Sequence, residues 1–139
     1  MLNRICISFS FLLLGAIIYM LFRPEVLFLV HFPNDFISKI SIDIDASVIS
    51  TCPFMYFVVF CLPDALWYAA LLIFQSAIYV DNLTSKLVLV FSILFPFIHE
   101  SMQKIGMLSG TFDWLDIITY LLTLILLLCT KKVFYQFLF

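Results

Sequence analysis

Polar residues are sparse along most of this chain, and their positions divide it into elements. Ile5 to Phe22 contains no charged residue, follows Arg4 and is closed by Arg23-Pro24. A helix needs roughly 20 apolar residues to cross ~30 Å of hydrocarbon, so the pattern predicts a spanning helix over 5–22. A cleaved signal peptide would end in a similar way, but the apolar run is long for one and no A-x-A-like site follows it. A retained helix is therefore expected.

A second span is expected over 64–80. Leu62-Pro63-Asp64 opens it, with Pro tolerated in a first turn and Asp favoured at the positive end of the helix dipole, and Asp81-Asn82 closes it. A third runs over 85–105 and stops before Gly106. A fourth covers 113–130, opened by a capping arrangement of Asp113 and Asp116 and stopped by Lys131-Lys132. Pro53 to Cys61 is apolar and aromatic but too short to cross a bilayer, so a short interfacial helix over 53–61 is expected. Ile40 to Asp45 alternates apolar and polar residues, as an extended segment would. The fold class is thus all-α: one integral membrane domain over 1–139, a bundle of about four transmembrane helices with one short interfacial helix.

Composition agrees. Hydrophobic residues make up 65% of the 139 residues and charged ones 12%, with mean hydropathy +1.18. A soluble domain averages about 45–50% apolar and about 25% charged, so the lipid bilayer is the expected surrounding. A net charge of −2 with seven scattered Lys and Arg excludes a nucleic-acid partner. Cys6, Cys52, Cys61 and Cys129 show no C-x-x-C spacing, and Cys6 and Cys129 read as small hydrophobes. No metal site, cofactor or catalytic set is expected.

The positive-inside rule gives a slight preference for both termini in the cytoplasm. Arg4, Lys86, Lys131 and Lys132 then lie inside, and Arg23, Lys39 and Lys104 outside. On these spans Asp81 is the only one of the nine carboxylates at the cytoplasmic end.

Each predicted helix also carries polar groups on one face. The first has Ser8, Gly15 and Tyr19; the second Asp64, Tyr68, Gln75 and Tyr79. The third has Ser92, Pro96, His99, Glu100 and Gln103, and the fourth Asp113, Asp116, Tyr120 and Thr123. Turned inward, the four stripes would make an interior more polar than the lipid-facing surface. They are richest at one end. A short turn makes the third and fourth helices antiparallel neighbours, which brings Glu100 and Gln103 beside Asp113 and Asp116, with Asp64 as a further wall. Pro96 should kink the third helix just below Glu100 and free the Ser92 carbonyl.

Such a pocket suits a cation, a cationic or hydroxyl-rich head group, or a shared proton, because adjacent carboxylates are costly to keep charged without a counter-ion. Capping accounts for Asp113 without any function. Glu100 is different, since it lies near the negative end of its helix, where the dipole disfavours an anion.

Glu100-Ser-Met-Gln103, the following Gly110-Thr111-Phe112-Asp113, and Asp116 resemble the VanZ-like family of small integral membrane proteins. That family shows a Glu-x-x-Gln helix end, a short turn, and Asp residues opening the next helix. The match covers roughly the last third of the chain and rests on Glu100, Gln103, Asp113 and Asp116. Tyr120 and Thr123 stand where the family often has Asn and Gly, and Thr111 where the turn often has a basic residue.

The resemblance implies a multi-pass protein of the bacterial plasma membrane, acting at the cell envelope. With those departures, it does not carry the namesake's association with teicoplanin resistance to this chain. The leading expectation is a non-catalytic envelope protein whose outer carboxylate pocket meets a lipid or glycan head group. The alternatives are a small accessory subunit packed on a membrane protein partner, and an enzyme acting on a lipid-linked substrate.

Overall fold

The computed structural model of the protein describes residues 1–22 and 52–130, and these residues are all-helical. Helix α1 spans Leu2–Phe22, α2 Pro53–Ile78, α3 Leu83–Lys104 and α4 Trp114–Cys129. The first three are long and apolar enough to cross a membrane, and α4 is a shorter apolar helix of 16 residues. The Ile40–Asp45 alternation, Arg23, Lys39 and the Lys131-Lys132 pair lie outside the described residues.

Only 11% of the most apolar stretch of α1 is buried within the protein, and 22% of that of α3, against 44% for α2. Phe91, Leu94 and Phe95 of α3 and Leu122, Ile125 and Leu126 of α4 all face outward. Surfaces this apolar are compatible with hydrocarbon.

The segment expected as a separate interfacial helix is helical, but it runs without a break into the second span. Proline inside a helix clashes with the carbonyl four residues back. The chain meets Pro63 by widening the turn before it: over Phe57–Cys61 the helix is of π type, with the Leu62 amide donating to the Phe57 carbonyl. Pro63 therefore opens no new helix. At about 1.5 Å per residue, the 26 residues of α2 reach about 39 Å, longer than the ~30 Å hydrocarbon layer.

The other ends follow local signals. The Asn82 side chain accepts the Ser85 amide at 2.7 Å and caps α3, so Asn82 begins that helix rather than closing α2. Asp113 caps α4, its Oδ1 accepting the Leu115 amide at 2.9 Å. Helix α3 continues through Pro96.

Helix α2 is the hub. It packs antiparallel on α1 through a regular series of contacts. Arg4 Nη1 donates to the Ser76 carbonyl at 3.1 Å, Ser8 Oγ to the Ala70 carbonyl at 2.7 Å, and Trp67 Nε1 to the Leu12 carbonyl at 3.3 Å. Gly15 permits this approach, because a Cβ there would come within 2.5 Å of Trp67 Nε1 and 3.3 Å of the Pro63 carbonyl. Small residues and interhelical hydrogen bonds are the means by which helices associate in lipid, where apolar burial gives no advantage.

On its other side α2 joins α3 and α4 around Tyr68, Leu72, Leu89 and Tyr120. The α1 stripe therefore meets α2 rather than a shared four-helix interior. A helical face is readable from sequence, whereas the helix that covers it is not.

Candidate functional site

The beginnings of α2 and α4 and the end of α3 lie together. Of the described carboxylates, only Asp81 sits at the other end, where it pairs with Lys86 at 2.8 Å in an exposed contact. Such a contact contributes little to stability.

Of the five residues expected to line a pocket, Asp64, Glu100 and Asp116 come together. Each stands one helical turn from a ring of one three-ring cluster, Asp64 from Tyr68, Glu100 from Phe97 and Asp116 from Tyr120. Asp64 and Asp116 are half-buried. Glu100 is only 4% exposed, and its Oε2 has no hydrogen-bond partner. Its Oε1 lies 3.8 Å from Nδ1 of the partly exposed His99, too far for a direct hydrogen bond. A buried, unpaired carboxylate oxygen is costly, and in a folded protein it is a rare feature that asks for a counterpart.

The remaining two have local duties. Asp113 uses both oxygens: Oδ1 caps α4, and Oδ2 accepts the Tyr56 hydroxyl at 2.7 Å. Gln103 turns toward the α3–α4 connection, where Nε2 donates to the Ser109 carbonyl at 3.3 Å. Gly110, at φ +128°, lies so close under the Gln103 amide that any Cβ would collide with it.

Beneath the carboxylates lies a layer of rings. Tyr68 is one turn deeper than Asp64 on α2, Phe97 one turn deeper than Glu100 on α3, and Tyr120 one turn deeper than Asp116 on α4. The three rings meet edge to face. Their centroids are 5.5 Å apart for Tyr68–Tyr120, 6.1 Å for Phe97–Tyr120 and 6.5 Å for Tyr68–Phe97, within the range that aromatic pairs favour. The Tyr68 hydroxyl donates to the Ile93 carbonyl at 3.1 Å, beside the stretch where Pro96 supplies no amide. Cys61, in the widened turn of α2, is buried against the Thr119 hydroxyl of α4. Widened turns of this kind recur at functional sites.

Tyr56, Cys61, Phe97 and Thr119 were not singled out as site residues from the sequence. Phe97 is one of 17 Phe and carries no polar label. The available signal was the repeated pairing of a carboxylate with a ring one turn deeper on each of three helices.

Among the described residues, no group of three or more His, Cys, Asp or Glu could hold a metal ion. Of the described Lys and Arg, only Lys104 is at the acidic end. Its ammonium lies over the rings of Phe112 and Trp114, 4.9 and 4.7 Å from their centroids. The arrangement is an acidic layer over an aromatic floor, with no described cation bonded to the buried carboxylate.

No family model, curated protein or solved structure matches the chain. The fold and this site therefore define it only as an all-helical protein with helices suited to crossing a membrane.

Proposed function

We propose that the chain is a multi-pass protein of the bacterial plasma membrane, with both termini in the cytoplasm, that acts at the cell envelope. Its acidic end recognises a polar group at the outer membrane face and carries out no reaction itself. The observation that carries this proposal is the Glu100 carboxylate, buried and with Oε2 unpartnered, which has no evident structural role to repay its desolvation. The resemblance of Glu100, Gln103, Asp113 and Asp116 to VanZ-like proteins supports the envelope setting. Within that resemblance, Glu100 and Asp116 take the recognition role, while Asp113 and Gln103 hold the turn.

The test is complementation of a deletion strain, scored for envelope phenotypes at matched membrane abundance. Glu100→Gln and Asp116→Asn are expected to fail where wild type succeeds. Full rescue by both variants ends this proposal. A second reading, an accessory subunit, draws on the outward apolar faces of α3 and α4. It predicts stoichiometric co-purification with another membrane protein in mild detergent.

A further inference from the structure

We infer that the group recognised at the acidic end is an organic ammonium, held by Glu100 at the end that Asp64 and Asp116 share, over the floor formed by Tyr68, Phe97 and Tyr120. This rests on the proposed recognition role of that end and names the chemistry of its ligand.

Charge gives the sign. Three carboxylates stand one turn above one ring cluster, and one of them is buried with an oxygen unbonded. A monocation supplies the donor that Glu100 Oε2 lacks. Ligand arrangement gives the kind of cation. A bare metal ion needs several oxygens converging at 2.0–2.6 Å, about the bond lengths of the hard cations, and the described acids, His and Cys form no such group. An ammonium needs no such set, since a single N–H donated to Glu100 Oε2 holds it, and its carbon substituents require an apolar seat.

The aromatic floor suits such a seat, because aromatic rings attract ammonium groups. Glu100 is four residues from the end of α3 at Lys104, about 6 Å along the axis, so the approach from the membrane surface is short.

The experiment measures thermal unfolding of the purified full chain in detergent, with ethylammonium chloride titrated against sodium and potassium chloride at equal ionic strength. Wild type is expected to show a saturable rise in midpoint with ethylammonium that neither metal salt produces. Asp81→Asn, at the opposite end, should respond like wild type. Glu100→Gln, which preserves shape, and Phe97→Leu, which removes a ring, should each need at least tenfold more amine.

Two nanodisc compositions distinguish the source of the amine. A higher wild-type midpoint in phosphatidylethanolamine than in phosphatidylglycerol, with free amine adding nothing in the former, assigns a lipid head group. A rise with free amine in both assigns a soluble amine. An equal rise with sodium or potassium, an unchanged response in Glu100→Gln, or no response in wild type overturns the inference. If Glu100→Gln fails to complement while wild type ignores ethylammonium, the ligand class is wrong and the recognition role stands. Complementation by Glu100→Gln and Asp116→Asn with an intact amine response in wild type overturns the recognition role alone.

Discussion

The Tyr56 hydroxyl donates to Asp113 Oδ2 at 2.7 Å, joining the first turn of α2 to the cap of α4 across 57 positions of sequence. Because Oδ1 of the same carboxylate accepts the Leu115 amide, one side chain sets both the start of α4 and its attachment to α2. That attachment holds Asp116 and Tyr120 opposite Asp64 and Tyr68, and so fixes two sides of the acidic end.

Tyr56→Phe is expected to destabilise the protein by about 1.5–3 kcal/mol, the net value of a hydrogen bond to a carboxylate. Asp113→Ala should cost more, since loss of a cap adds about 1 kcal/mol. The double variant should be no less stable than Asp113→Ala alone. Denaturant titration in detergent measures all three, and additive losses would show that the two residues do not act as a pair.

Gly15 is where α1 seats on α2. Gly15→Leu places carbon where Trp67 Nε1 now lies, displacing the indole from the Leu12 carbonyl and from its 5.2 Å stack on Tyr19. In a Trp114→Phe background, Trp67 emission should shift and the unfolding midpoint fall by several degrees. Ser8→Ala, which deletes one interhelical hydrogen bond, should cost only about 0.6 kcal/mol. An unaltered Trp67 spectrum in Gly15→Leu would contradict the seat described here.

Thr84 and Ser109 mark opposite ends of the bundle and both are exposed. In a cysteine-free background, Ser109→Cys should react with a membrane-impermeant maleimide in intact cells. Thr84→Cys should react only after the membrane is opened. Labelling of both from one side would rule out a membrane crossing by α3.

The helices were legible because their signals are local. An uncharged run marks α1, Gly106 lies just beyond the end of α3, and Asp113 caps α4 where its carboxylate suggests. The continuity of α2 was hidden, since Pro63 reads as a helix start unless the widened turn before it is known. The partner of α1 was hidden too: Ser8 and Gly15 define a face, but nothing in their spacing says that Ala70 and Trp67 cover it. At the site, Glu100 stood out from its position near the negative end of a helix. Gln103 was expected to line the same pocket and instead braces the turn against Ser109, a duty that depends on the path of the chain after Gly106. Tyr120, a departure from the VanZ-like pattern, forms part of the aromatic floor.

The central claim is that Glu100 is kept for a ligand and at a cost to the fold. The direct measurement is the unfolding stability of ligand-free Glu100→Gln against wild type in detergent. An amide of the same shape costs less to bury than a carboxylate with an unpartnered oxygen, so the variant should be more stable by about 1–3 kcal/mol. A loss of stability of similar size would mean that the carboxylate holds the fold together, and would contradict the account.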